Sequence, residues 1–195
     1  MIKKREWALI ASLITLLILL ITTYTKDGAI QFRRLFNEPP SGTNIEDIKG
    51  DSLQIYFCPE DRCEDALVSL IANSKKNINV AMYIFTSRDS AYALVDAAKR
   101  GVEVRVYLNN DQRNEKYSKA GFLRKKGIPV KLHDHDGLMH NKFAIIDEEI
   151  VATGSFNWTA SADTRNDENL VLIKNKQVSE AYKKKFDALW ERERQ

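Results

Sequence analysis

Histidine and cysteine are scarce in this chain: its 195 residues hold three of the first and two of the second. Structural metal modules need such ligands at set spacings, and Cys58 and Cys63 taken with His133 and His135 match no standard finger. The two cysteines are therefore read either as a disulfide, which would fit an oxidising compartment, or as a pair of buried thiols. Net charge is also small. The formal charge is +3, but residues 51–195 carry 23 Lys or Arg against 22 Asp or Glu. That near-neutrality excludes a strongly basic nucleic-acid-binding domain and leaves any attraction for phosphate local. There is no internal repeat, so the chain itself offers no second copy of a motif that occurs once.

What is present suits a globular chain, 44% hydrophobic and 29% charged, with room for one ordinary domain. The stretch from Trp7 to Thr25 is an uncharged run of 19 residues, and roughly 20 are needed to cross the hydrocarbon as a helix. Trp7 and Tyr24 near its ends suit the membrane interface, and Lys3, Lys4 and Arg5 precede it. A cleavable signal peptide would have a shorter apolar region and a small-x-small cleavage site. The expected organisation is a membrane anchor over residues 1–25, a linker over 26–50 marked by FNEPPSGTN, and a folded domain over 51–195. The KKR cluster leans toward an inside N-terminus, which makes this a single-pass membrane protein with its folded domain outside the cytoplasm.

Within the domain, apolar strands alternate with helical patterns. LQIYF is followed by a helix over Asp61 to Asn73, then INVAMYIF, a helix over Ser90 to Arg100, and VEVRVYL. Such alternation predicts an α/β sandwich around a mixed, largely parallel sheet, with the continuously apolar INVAMYIF central. A further helix is expected over Asp111 to Lys126, a short strand after Gly127, two strands in KFAIID and EIVATGS, another in ENLVLI, and a last helix from Lys176 to Arg194.

The chemistry gathers in HNKFAIIDEEIVATGSFNWT, His140 to Thr159. Side chains at i and i+2 of a strand share a face, so His140 and Lys142 stand together while Phe143 and Ile145 turn into packing. A hairpin would return Ser155 and Asn157 beside them. The cluster has no carboxylate pair and no metal cage. It suits an anion: Lys142, Asn157 and Ser155 can hold phosphate oxygens and stabilise charge that builds at phosphorus, and imidazole can attack phosphorus or protonate a leaving oxygen.

The pattern His140-x-Lys142-x4-Asp147-x6-Gly154-Ser155-x-Asn157 resembles the signature of the phospholipase D superfamily, and the order of elements from about Leu53 to Ala188 is similar to that family's α/β/α sandwich. The likeness is greatest to small members with one motif, namely bacterial endonucleases and the mitochondrial cardiolipin hydrolase or Zucchini type. The resemblance implies that His140 is a nucleophile forming a phosphohistidine, that Lys142 and Asn157 grip phosphate with support from Ser155, and that Glu168 orients His140. Asp147 is expected in a turn or structural ion pair. Since two histidines are needed and one motif is present, it implies a homodimer sharing one site across a two-fold axis; His133 and His135 are read as solvated loop residues. It implies no metal and no cofactor. The substrate is expected to be DNA or RNA, with Lys116, Lys119, Arg124, Lys125 and Lys126 as a phosphate-tracking edge and Tyr117 and Trp158 as stacking surfaces. The alternatives are a phospholipid, met by an apolar lip at Leu138 and Met139, or a binding module without catalysis.

Overall fold

The structure is a computed structural model and describes residues 43–46 and 51–192. Everything described belongs to one unit, Pro40–Gln195. The expected anchor at residues 7–25 lies outside the described residues, and among those described no helix is long and apolar enough to cross a membrane.

Eight described strands form one sheet: β1 (Thr43–Glu46), β2 (Ser52–Cys58), β3 (Asn77–Met82), β4 (Glu103–Leu108), β5 (Val130–Leu132), β6 (Lys142–Ile146), β7 (Ile150–Gly154) and β8 (Glu168–Lys174). Their order is β1-β2-β8-β7-β6-β3-β4-β5. Thr43–Glu46 falls in the segment read as linker and pairs with β2 as an edge strand. The sheet is mixed, but it is not largely parallel. Only β3–β4 and β4–β5 run parallel, whereas β1–β2, β2–β8, β8–β7, β7–β6 and β6–β3 are antiparallel. The helix crossover from β2 to β3 does leave those strands pointing the same way. Three later strands then enter between them, so the parallel neighbours expected from the alternation never meet.

Helices cover both faces. Along β6, Ala144 and Ile146 join the larger core with Ile78, Val80 and Met82 of β3, beneath α1 (Cys63–Ala72) and α2 (Arg88–Lys99). Phe143 and Ile145 point the other way, to Phe186 and Leu189 of α5 (Lys176–Trp190). This period-two split is what buries both faces of a central strand. Two short helices complete the unit, α3 (Ala120–Lys125) and α4 (Ala160–Thr164).

The continuous helix expected over Asp111–Lys126 is broken. A 3₁₀ turn at Asn110–Arg113 and α3 flank a non-helical stretch, because both polar groups of the Phe85 peptide recruit this segment. The Phe85 N–H donates to Gln112 Oε1 at 3.1 Å, and the Lys119 N–H donates to the Phe85 carbonyl at 3.0 Å instead of continuing a helix. His133 is also not solvated. It is 2% exposed, with Nε2 3.1 Å from the Gly137 carbonyl and its ring edge-on to His135 at 3.7 Å, because the loop before His140 folds back on itself. Cys58 and Cys63 form a disulfide with Cα atoms 5.8 Å apart, which removes both from any zinc site with the histidines.

Two positions carry stability predictions. Gly154 ends β7 at φ +150°, and a Cβ there would lie 2.1 Å from the Asn169 carbonyl oxygen on β8. Gly154→Ala is expected to cost about 2 kcal/mol or more, from backbone strain and a forced separation of the two strands, read as a lower urea midpoint. Glu64 is enclosed between α1 and α2, where the Ser87 and Ser90 hydroxyls donate to its carboxylate, the second at 2.9 Å. Burial pushes its carboxyl up to about 7 against those hydrogen bonds, with Asp89 and Asp163 adding to the rise. A carboxyl whose folded pKa is raised stabilises the fold below its unfolded pKa, and that contribution is lost as pH rises through the folded value. Stability should therefore fall by on the order of 2 kcal/mol between about pH 4.5 and pH 7, and Glu64→Gln should flatten that part of the profile of urea midpoint against pH.

Candidate active site

The residues of the motif meet where several strands end along one rim of the sheet. Lys142 opens β6 opposite Met82, the last residue of β3. Gly154 closes β7 opposite Leu170, and Glu168 opens β8 opposite Cys58, the last residue of β2. Antiparallel pairing thus brings the starts of β6 and β8 beside the ends of β3, β7 and β2.

His140 and Lys142 pair directly. Lys142 Nζ lies 3.2 Å from His140 Nδ1 and 3.3 Å from Nε2, and donates to the His140 carbonyl at 3.0 Å. Tyr83, just beyond β3, holds them from the side: its ring centroid is 4.3 Å from that of the imidazole and 5.0 Å from the ammonium. Burial lowers the Lys142 pKa, and the Glu168 carboxylate pulls it back up. A cation kept close to an imidazole in partial burial suits a site awaiting an anion.

Ser155 and Glu168 form the second half. The Ser155 hydroxyl donates to Glu168 Oε2, and its oxygen accepts the Asn169 N–H at 3.1 Å. The Ser155 N–H reaches both the Asn169 carbonyl at 3.1 Å and its side-chain oxygen at 3.0 Å. Asn166 Nδ2 donates to the other Glu168 oxygen at 3.2 Å. Among the described residues no hydrogen bond joins Glu168 to His140; the carboxylate is oriented by Ser155 and Asn166 and acts on the pair through Lys142. Asn157 Oδ1 accepts the Ile84 N–H at 3.2 Å, an assignment that leaves both amide hydrogens for a ligand.

His140, Lys142, Ser155, Asn157 and Glu168 are therefore assembled, and Asp147 is not. It follows the far end of β6, roughly 17 Å away by strand rise. There its carboxylate accepts the N–H groups of Lys75, Lys76 and Asn77, at 2.8, 2.6 and 3.2 Å, and pins the entry to β3. Among the further expectations, Trp158 is 2% exposed and packed edge-on to Phe85, so it offers no stacking surface. Arg124 is occupied by the Val130 carbonyl at 2.9 Å. Met139 is buried and Leu138 is 61% exposed, which reduces the apolar lip to one side chain. Tyr83, Asn166 and Asn169 were not singled out by sequence. The one signal for Tyr83 is a phenol in the largely apolar run INVAMYIF, while Asn166 and Asn169 lack any periodic mark.

The assembly presents one ammonium, one imidazole and one amide, backed by a hydroxyl and a carboxylate bonded to each other. Among the described residues no group of three or more His, Cys, Asp or Glu is placed to hold a metal ion. Such donors can bind a phosphoryl group and stabilise negative charge on it during displacement.

Residues 67–190 match the family described as cardiolipin synthase, PLD-like domain. The chain is 32% identical over 161 residues to a phospholipase D of Rickettsia bellii, covering 82% of this chain and 80% of that one. It is 34% identical over 137 residues to a mitochondrial cardiolipin hydrolase of Xenopus laevis, covering 69% and 65%. Among solved structures it is similar to Nuc, a phospholipase D family member from Salmonella typhimurium, with a TM-score of 0.66 and 33% identity over 72% of this chain and 94% of that one. NucT from Helicobacter pylori gives a TM-score of 0.68 and 28% identity, over 72% and 96%. The likeness first read from six residues thus extends through the folded unit, and the chain belongs to the phospholipase D-like family of phosphodiester hydrolases.

Proposed function

We propose that this protein is a metal-independent endonuclease on DNA or RNA that works through a phosphohistidine. The observation that carries the reading is the His140–Lys142 pair, clamped by Tyr83 at the rim where Ser155 and Asn157 also arrive. A nitrogen of His140 attacks phosphorus, a P–N bond forms as the bond to the leaving oxygen breaks, and that oxygen takes a proton from a second histidine. Water then attacks phosphorus and gives its proton back to the second histidine while the P–N bond breaks. Lys142 and Asn157 hold the non-bridging oxygens throughout, and Ser155 supports them by fixing Glu168.

The second histidine is the partner's His140 in a homodimer, since His133 is buried and bonded to its own loop and one motif is present. A two-fold axis past the rim makes each chain supply one nucleophile and one acid. Nucleic acid is favoured by the likeness to Nuc and NucT and by the lack of large lipid-enclosing loops in the described unit. A phospholipid is the second reading, supported by exposed Leu138 two residues before His140 and by relatives named phospholipase D and cardiolipin hydrolase. We place the folded domain outside the cytoplasm on residues 7–25, a reading supported by the Cys58–Cys63 disulfide.

The purified protein is to be incubated with single-stranded DNA, RNA and cardiolipin vesicles in parallel. Cleavage of nucleic acid supports the proposal, phosphatidic acid release replaces it with the lipid reading, and silence on all three favours a binding module. His140→Ala should lower turnover by on the order of a thousandfold or more while the dimer persists in sedimentation; activity retained in the mutant refutes the nucleophile. EDTA should leave the rate unchanged, and loss of rate restored by Mg²⁺ would refute metal independence.

A further inference from the structure

Beside the active site lies a groove that the mechanism does not use. It is lined by Arg88, Tyr92, Lys116, Tyr117, Lys119 and Phe122, with Ala91 and Ser118 completing the wall, and holds about 220 Å³. That is below the roughly 300–1,000 Å³ of sites that enclose a whole small ligand, so it suits one planar group of a longer chain. Three cations and three aromatic rings line it without a carboxylate, in a domain whose overall charge is nearly balanced.

Its rings are open to solvent. Tyr92 is 40% and Tyr117 62% exposed, and only Phe57 and Leu138 are comparable large apolar side chains left exposed among the described residues. Each tyrosine has a cation over its face: Arg88 lies 5.4 Å from the Tyr92 centroid and Lys116 5.4 Å from that of Tyr117. Lys116 and Lys119 form no ion pair with a carboxylate among the described residues.

The groove is tied to the catalytic rim. β3 and β4 are parallel, with Met82 opposite Leu108, so the segments that follow them emerge at the edge where Lys142 stands opposite Met82. Ile84 donates to Asn157 Oδ1, and the next residue, Phe85, accepts the Lys119 N–H. One peptide therefore separates the anchor of a phosphate-gripping amide from the anchor of the groove wall.

We propose that this groove is a binding subsite for one nucleotide of a single-stranded nucleic acid whose neighbouring phosphodiester lies at His140. The inference rests on the nuclease reading above and deepens it. The base stacks on Tyr117 with Tyr92 opposite, and the backbone phosphate meets Lys116 and Lys119. Stacking of this kind tolerates any base, since every base has a π-face. An anionic membrane would need a broad basic face, whereas Asp89 and Glu115, adjoining Arg88 and Lys116 in sequence, confine the positive charge to the groove.

The test uses the full chain. Affinity for a labelled single-stranded oligonucleotide is measured by anisotropy in a His140→Ala background, and turnover of the oligonucleotide and of bis(p-nitrophenyl) phosphate is measured with His140 intact. Tyr117→Ala should weaken oligonucleotide binding roughly tenfold, Tyr117→Phe should restore it, and turnover of the small diester, too short to reach the groove, should not change. Lys116→Ala with Lys119→Ala should reduce the slope of log affinity against log salt by about 1.4. If the wild type cleaves the oligonucleotide but Tyr117→Ala binds it as tightly, the subsite is refuted and the nuclease reading survives. If the wild type turns over only the small diester, the nuclease reading itself has failed. Loss of anionic-vesicle binding with oligonucleotide binding intact, or a changed oligomeric state in Tyr117→Ala, would assign the groove to a membrane or to the dimer interface and overturn the proposal.

Discussion

The site depends on one close approach, that of the last residue of β7 to the first residues of β8. At Gly154 a side chain of even one carbon would fall on the Asn169 carbonyl, so only glycine lets the strands stay in register to their ends. Because they do, Ser155 arrives within reach of both the Asn169 backbone and the Glu168 carboxylate. Asn157, two residues on, then falls where Ile84 at the end of β3 can hold it. The donors of the candidate site are thus placed by a backbone constraint before any side chain chooses its partner.

Charge within the site is arranged in layers. Lys142 faces the imidazole, and the carboxylate that compensates it stands behind, already engaged by a hydroxyl and an amide. Hydrogen bonds of that kind fix the carboxylate in place, so Glu168 favours the charged form of Lys142 from behind the pair. The carboxylate of Asp147, by contrast, is spent on three backbone N–H groups at the opposite rim. The acidic residue of the signature and the one beyond it therefore serve unrelated ends, Asp147 architectural and Glu168 electrostatic.

Much of this was legible in sequence, for a definite reason. Side chains along a strand alternate between its two faces whatever their polarity, and a two-strand hairpin with a three-residue link can close in very few ways. The pairing of His140 with Lys142, the inward turn of Phe143 and Ile145, and the separate fate of Asp147 all follow from that local rule. What was not legible is non-local. Nothing in β2 or β3 announces that three later strands will part them, and helical periodicity in residues 111–126 carries no sign that the Phe85 peptide will take the bonds that would have continued the helix. Trp158 is hidden from sequence for the same reason, since Phe85 comes from a distant segment, whereas His133 is enclosed by its own loop at Gly137 and His135.

The late insertion of β6, β7 and β8 has a consequence for how the molecule comes into being. Ser52 of β2 finds its partner at Lys174, a contact that must wait for more than a hundred intervening residues and is slow to close by loop entropy alone. Until β8 docks, β2 and β7 each present an open edge to solvent, and the rim that will carry the reaction has its histidine but not its Ser155–Glu168 half. An emerging chain is consequently a phosphodiester hydrolase only at the end of its assembly. The strand that completes the sheet also completes this chain's share of the site.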